Sequence, residues 1–405
     1  MSGLQGKRIL FGVTGSIAAY KAADWVRSLV KEEALVTVVM TRAAEQFVSP
    51  LTFSALSGNP VYRNMFDDEP DRVMSHINLS READVILVAP ATAQTIARLS
   101  SGRADDLLAT VILAARIPVV ICPSMNSNML EHPATQENIN RLQQFGYHLV
   151  QPGCGSLACG ETGDGRLPDW DVAREELLAV FEPDDLKDRK VLITAGPTRE
   201  PLDPARFLSN RSSGKMGFAL ARTARRRGAE VTLITGPVSL ADPPGMEVIR
   251  VTTAEEMKNR VMQRMDSVQV VVKSAAVADF KPAAYQVHKI KKTNHVLQLD
   301  LEKNTDILAE LGKNRTKNQV LVGFAAESRD HVGEGQRKLQ EKNLDLIVVN
   351  DILGSQTGFD VETNQVTLID GNGNTVLPLM TKEATANRIW DKVVSLLQER
   401  AVDVG

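Results

Sequence analysis

Several side chains in this 405-residue chain sit where they can do chemistry rather than fill a core. His76, in Ser75-His76-Ile77, carries an imidazole that titrates near neutral pH, although a hydrogen-bonded structural histidine would look the same in sequence. Cys159 lies in Gly153-Cys-Gly-Ser-Leu-Ala-Cys-Gly160-Glu-Thr-Gly-Asp-Gly165, whose five glycines in thirteen residues predict a mobile loop that leaves the thiol accessible. Cys154 and Cys159 lack the matching His or Cys set of a zinc site. Asn126, in Pro123-Ser-Met-Asn126, offers either an amide for a carboxylate or a cap for the following turn.

In the second half, Ser274-Ala-Ala-Val-Ala-Asp279 is followed by Lys289-Ile-Lys-Lys292. A lysine cluster is ordinarily a solvated face, but this one trails a small-residue strand end that admits close ligand approach, which favours an anion site. The polar stretch from Thr194 to Gly217, with Arg206 and Ser209-Asn-Arg-Ser-Ser-Gly-Lys-Met-Gly217, far exceeds an ordinary connection of roughly 2 to 6 residues and reads as a binding loop. It is not a Walker site, because Met216 follows Lys215 and the upstream glycine is missing.

These residues need a scaffold. Residues 7–13, 35–41, 85–90 and 117–123 are continuous apolar runs suited to strands covered on both faces, and Ile17 to Val30 has helical apolar spacing. Gly12-Val-Thr-Gly-Ser16, Ala89-Pro-Ala-Thr-Ala93 and Pro123-Ser-Met-Asn126 each follow such a strand, where the crevice of an open α/β sheet collects its ligand. The free N–H groups and Ser16 hydroxyl at a helix start suit a phosphate, although the GxGxxG fingerprint is absent. Trp170 to Phe181 reads as a closing helix, and Glu182-Pro183-Asp184-Asp185 as a break between domains. Strands are expected again at 190–196, 230–236, 268–280, 319–327 and 344–351, with helices at 214–228 and 385–400. The expected fold class is therefore α/β, with two Rossmann-like doubly wound domains, 1–185 and 186–405, the first flavodoxin-like.

Composition narrows the function. A chain 43% hydrophobic and 24% charged is neither disordered, collagenous nor coiled coil, and a net charge of -3 gives no general attraction to nucleic acid. The halves differ: residues 1–185 carry 15 basic against 23 acidic side chains and residues 186–405 carry 32 against 27, so the second is the better host for a polyanion. Three clustered cysteines suit a reducing compartment, and no apolar run reaches the length of a signal core or a membrane span. A cytoplasmic protein with no membrane and no nucleic-acid partner is expected.

His76, the 123–126 motif, the glycine-rich Cys159 segment and the Gly-Ser loop with Ala-Ala-Tyr-Lys at 15–21 resemble the flavin-dependent cysteine decarboxylase family that makes 4'-phosphopantetheine. The resemblance implies an FMN-binding trimeric unit with its site shared across subunits. There the substrate thiol is oxidised by flavin, carbon dioxide leaves the thioaldehyde and the enethiol is reduced again. It places His76 beside the flavin, Asn126 on the departing carboxylate and Cys159 as the final proton donor, a role that suits a thiol with an unperturbed pKa of about 8.5. Gly15, Ser16, Thr41 and Thr92 are the implied flavin-loop residues, with Met125 packing against the ring.

The motifs SNRSSGKMG, AAVAD, KIKK, GFAAE and KNLDLIVVND resemble the phosphopantothenate–cysteine ligase family. Their order behind the decarboxylase motifs is that of the fused bifunctional bacterial enzymes of coenzyme A synthesis. The implied reaction uses CTP and Mg2+ to activate 4'-phosphopantothenate as an acyl cytidylate, releasing pyrophosphate, after which the cysteine amine displaces CMP. It assigns Lys289 to acyl-nucleotide formation, Asn210 to its conversion by cysteine, and Arg206 to the phosphorylated substrate. Ala275, Asp279, Thr305, Asp306, Ile307, Leu308, Phe324, Lys338 and Lys342 surround the nucleotide, with Asp279 at the metal. Thr305 stands where the family has Pro. Ligase domains of this kind pair as dimers, which with flavin-domain trimers can combine in a dodecameric homo-oligomer.

Three alternatives stand beside this reading. A regulatory flavoprotein without catalysis is disfavoured by the joint presence of His76, Asn126 and Cys159, and a nicotinamide-dependent oxidoreductase by the missing fingerprint. ATP in place of CTP is not distinguished by motif spacing.

Overall fold

Apolar runs that show no inside–outside alternation become central strands of two separate sheets. The computed structural model describes residues 3–65, 75–156, 160, 162–291, 298–327, 331–351, 358 and 360–403. The chain divides into two units, Met1–Glu182 and Pro183–Gly405.

In the first unit β1 (Arg8–Val13), β2 (Leu35–Met40), β3 (Val85–Ala91), β4 (Val119–Pro123) and β5 (His148–Leu149) pair in parallel. Their order is β2-β1-β3-β4-β5, which is the flavodoxin-like arrangement. Every residue of β3 and β4 is buried because helices cover both faces. On one face lie α1 (Ala19–Lys31), α2 (Pro50–Ser57) and α8 (Trp170–Ala179), and Trp25 meets Trp170 with ring centroids 5.4 Å apart. On the other lie α3 (Ser75–Glu82), α4 (Ala93–Ser100), α5 (Leu107–Ala114) and α7 (Pro133–Gln144), with the short α6 (Ser127–Glu131) before the last.

The segment around Cys159 departs from the loop expected from its glycine content. β6 (Gly153–Ser156) and β7 (Thr162–Arg166) form an antiparallel hairpin. Gly155 and Gly165 adopt φ of 147° and 124° there, which explains why a strand pair has the composition of a loop.

The second unit contains β8 (Lys190–Ala195), β9 (Arg199–Asp203), β10 (Arg206–Ser209), β11 (Glu230–Thr235), β12 (Glu247–Arg250), β13 (Val270–Lys273), β14 (Phe280–Pro282) and β15 (Leu301–Lys303). It continues through β16 (Val320–Glu327), β17 (Leu346–Asp351), β18 (Thr363–Asn364), β19 (Val366–Asp370), β20 (Gly373–Val376) and β21 (Met380–Thr381). The main sheet runs β12-β11-β8-β13-β16-β17-β19-β20, parallel as far as β17 and closed by an antiparallel edge. This is the Rossmann order with two strands added. α9 (Lys215–Arg226) and α13 (Lys382–Asp403) cover one face, while α10 (Ala254–Met262), α11 (Ile307–Asn314) and α12 (His331–Glu341) cover the other.

Two expectations are corrected in this unit. The strand expected over 268–280 ends at Lys273, because the next amides turn to side-chain partners: Ala275 N donates to Thr194 Oγ1 at 3.2 Å and Ala278 N to Thr198 Oγ1 at 3.1 Å. The polar stretch after β8 is not all loop either, since β9 and β10 pair as a hairpin whose turn is closed by Ala205 N donating to Asp203 Oδ1 at 2.7 Å. Of the acidic break, Asp185 belongs to the second unit, where it receives Arg227 Nε at 2.8 Å. Arg227 is buried and also donates to Asp391 at 2.9 Å. Among the described residues no helix is long and apolar enough to cross a membrane.

Candidate active sites

In the first unit the strand order reverses between β1 and β3, so the connections leaving them diverge and open a crevice at their carboxyl ends. Thr14 spans the divergence: its hydroxyl donates to Pro90 O at 2.7 Å and accepts from Thr92 N at 3.2 Å. A Cβ on Gly15 would stand 2.4 Å from Ala43 Cβ, so the turn closes only around glycine. A cleft of about 760 Å³ lies here, lined by Gly15, Thr41, Thr92 and Arg98 among others. Thr92 caps α4, accepting from Thr95 N at 3.2 Å, so the electropositive first turn of that helix lines the cleft. Arg98 is already compensated by Asp105 at 2.7 Å.

A second cleft of about 470 Å³ takes Ser16, Tyr20, Lys21, Met125 and Asn126. Asn126 Oδ1 accepts from Asn128 N at 2.9 Å and so caps α6, while the residue also faces the cleft. The hairpin is fastened to the same loop, with Met125 N donating to Gly165 O at 2.9 Å and Ser127 Oγ to Asp164 O at 2.6 Å. Asp164 and Gly165 of β7 are thereby tied to the residues on either side of Asn126. Cys159 lies outside the described residues. Cys154, exposed on β6, has its thiol pKa raised by a hydrogen bond with Asp164. His76 is half-buried on α3 and lines neither cleft.

In the second unit the reversal falls between β8 and β13. The loop after β13 is held from several directions: by Thr194 and Thr198 as above, by Asn210 Nδ2 donating to Val277 O at 3.1 Å, and by Asn304 Nδ2 donating to Ala278 O at 2.9 Å. A Cβ on Gly217 would lie 2.5 Å from Ala195 Cβ, so this glycine brings α9 close to the strand end. The resulting cleft of about 430 Å³ gathers Asn210, Ala275, Asp279, Phe324, Lys338 and Lys342. Asp306 caps α11 and meets Lys342 at 2.8 Å; burial opposes its charge, but Lys342 and Ala309 N–H hold its carboxyl below the usual range. Thr305 sits between the Asn304 anchor and this cap. Ile307 and Leu308 pack in the core.

Arg206 and Lys289 stand apart from the cleft-lining residues and near each other in the chain's hydrogen bonding. Arg206 donates to Ile290 O at 3.3 Å, and Ile290 N donates to Asp203 Oδ2 at 3.1 Å, while Lys289 itself is exposed. Burial opposes the charge of Asp203, yet the N–H groups of Ala205 and Ile290 and the Arg206 guanidinium keep its carboxyl pKa below the ordinary value. Three cleft lysines were not singled out by motif reading as site residues: Lys215, Lys273 and Lys382. For Lys273 a signal existed, a lone cation closing an apolar strand at its carboxyl end.

A flavodoxin-ordered unit with a crevice at its switch point, followed by a Rossmann-ordered unit with a lysine-lined cleft, defines a two-site α/β enzyme. The family model described as Flavoprotein matches residues 2–180, and that described as DNA/pantothenate metabolism flavoprotein C-terminal domain matches residues 186–397. The coenzyme A biosynthesis bifunctional protein CoaBC of Bacillus subtilis is 45% identical over 401 residues, covering 98% of each chain. Its namesake in Escherichia coli K12 is 42% identical over 401 residues, covering 98% of this chain and 99% of that one. A crystal structure of the C-terminal domain of a CoaBC protein is 39% identical with a TM-score of 0.46, covering 53% of this chain and 99% of its own. The chain belongs to the family of coenzyme A biosynthesis bifunctional proteins. It is a flavoprotein enzyme acting on small molecules, with phosphopantothenoylcysteine decarboxylase and phosphopantothenate–cysteine ligase activities.

Proposed function

We propose that residues 1–185 hold FMN and carry the decarboxylase, that residues 186–405 hold CTP with Mg2+ and carry the ligase, and that the second supplies the substrate of the first. The observation that carries this reading is convergence: Gly15, Thr41 and Thr92, then Ser16, Met125 and Asn126, line clefts of the first unit, and Asn210, Ala275, Asp279, Phe324, Lys338 and Lys342 line one cleft of the second.

For FMN, the fit rests on the glycine turn that a Cβ would fill, the Thr41 and Thr92 side chains, and the first turn of α4 as a phosphate site. Bound there, FMN supplies a two-electron oxidation of the substrate thiol and its reversal. Asn126 holds the carboxylate that departs, oriented by its own capping bond. Cys159 delivers the final proton. The absence of His76 from both clefts supports a homo-oligomer in which a neighbouring copy completes the site. Trimeric flavin domains, dimeric ligase domains and a dodecamer belong to this proposal.

For the ligase, the lysines of the second cleft offset the charge that crowds together when a carboxylate meets a triphosphate. Among the described residues no group of three His, Cys, Asp or Glu side chains could cage a metal ion. Asp279 alone, completed by phosphate oxygens and water, suits the ordinary manner of binding Mg2+. Asn210 fixes the Ala276 and Val277 carbonyls, and with them the backbone against which the acyl nucleotide lies. The free thiols Cys122 and Cys154 accord with a cytoplasmic location.

The test is one incubation of the purified chain with 4'-phosphopantothenate, cysteine, Mg2+ and either CTP or ATP, following pyrophosphate and carbon dioxide separately. Both products are expected with CTP. A colourless protein that forms neither would overturn the reading, and equal turnover with ATP would overturn the choice of nucleotide.

A further inference from the structure

Lys273 is the last residue of β13, at the strand end beside the switch point, and its side chain lines the ligase cleft together with Asp279, Lys338 and Lys342. Its ammonium donates to Ala275 O at 2.9 Å and, among the described residues, forms no ion pair. The neighbouring lysines are occupied differently. Lys382 gives its three protons to the carbonyls of Gly358, Val361 and Thr363, Lys215 meets Glu362 at 2.5 Å and Asp360 O at 2.7 Å, and Lys342 is paired with Asp306. Those contacts brace the walls of the cleft. Lys273 by contrast couples a half-buried cationic head to a single carbonyl with no carboxylate in direct contact, so Asp279 and Asp306 offset its lost solvation only at a distance.

We propose that Lys273 is a nucleotide-binding residue whose ammonium takes the phosphate chain of the triphosphate. This deepens the reading of the second unit as the nucleotide site and rests on it. A cation fixed at the carboxyl end of a switch-point strand stands where an open α/β sheet presents its ligand, and a polyanion supplies the direct ionic contact that neither Asp279 nor Asp306 makes with it. Lys273 then shares the role assigned to Lys338 and Lys342 and explains how the cleft can meet a triphosphate while Lys289 remains exposed outside it.

The test compares Lys273→Met and Lys273→Arg in the full chain by calorimetric titration with Mg2+ and CTP, by cytidine competition, and by titration with 4'-phosphopantothenate. Lys273→Met is expected to weaken CTP by about 10- to 100-fold, the range for loss of a hydrogen bond to a charged group. Cytidine and 4'-phosphopantothenate should bind as before, and Lys273→Arg should restore most of the CTP affinity. Unchanged CTP affinity in Lys273→Met overturns the proposal, as does equal weakening of cytidine, or weakening of 4'-phosphopantothenate alone. Carbon dioxide release from supplied 4'-phosphopantothenoylcysteine and an unaltered circular dichroism spectrum report that the variant is folded. If the unaltered chain binds no CTP, the nucleotide reading of the second unit fails, and this proposal with it.

Discussion

An ammonium group half-hidden from water beside other ammonium groups titrates early. Burial, and then the like charge of Lys342, lower the Lys273 amine from its ordinary value to about 8, with Lys338 acting in the same sense and Asp306 and Asp279 against it. The amine is charged below that value and loses its charge as pH rises through it. CTP affinity should therefore fall between about pH 7 and 9 in the unaltered chain and stay level in Lys273→Arg, whose guanidinium keeps its proton throughout. A flat profile in the unaltered chain would count against the assignment. Lys289→Gln should reduce pyrophosphate release by on the order of 10²-fold or more while sparing carbon dioxide release from supplied 4'-phosphopantothenoylcysteine. Loss of both would indicate misfolding. Cys159→Ser should stop at the oxidised enethiol, and normal 4'-phosphopantetheine from that variant would remove Cys159 from the final protonation. At this scale the motifs point to side chains whose chemistry is unusual for their context, such as Asn210 and Asp279. They pass over Lys273, because one lysine after a run of valines looks like any strand terminus until Lys342 and Asp306 are folded against it.

Elements decide whether these side chains meet. The β6–β7 hairpin is joined to the Asn126 loop by Met125 N to Gly165 O at 2.9 Å, and a Cβ on Gly165 would lie 2.2 Å from Met125 O. Gly165→Val should accordingly displace the hairpin and abolish decarboxylation, with pyrophosphate release by the second unit retained; a fully active decarboxylase in that variant would show that the contact is dispensable. Asp203 is the corresponding fastener in the other unit, accepting from Ala205 N, Ile290 N and Arg206. Asp203→Ala leaves those donors without their acceptor and should lower ligase turnover by loosening the segment that carries Lys289. Unimpaired pyrophosphate release would argue that this segment is held elsewhere. The central strands were legible because burial on both faces leaves continuous apolar runs. The two hairpins were not, because glycine in one and Pro201 and Pro204 in the other mark turns as readily as strand pairs.

As a whole the molecule contains two units with separate cores, the first with two of the clefts described and the second with one. A ligand that binds one folded unit stabilises that unit by about 2.7 kcal/mol at a hundred times its dissociation constant. Heating should reveal two transitions, one raised by FMN and the other by CTP with Mg2+. A single transition that answers equally to both ligands would contradict their independence. The charge difference between the halves, -8 against +5 by count, already assigns the polyanion to the second. Sequence by itself determined the α/β class, the two successive units and the motif residues, because periodicity, loop composition and residue order are local properties that survive in the unfolded chain. Only the tertiary structure decided that Gly15, Thr41 and Thr92 share one cleft and Ser16, Met125 and Asn126 another, that His76 lines neither, and that Lys273 lines the cleft of the second unit. Those facts depend on strand order and on helices closing over it, and strand order is fixed by which buried faces fit together across stretches of chain that carry no record of one another's position.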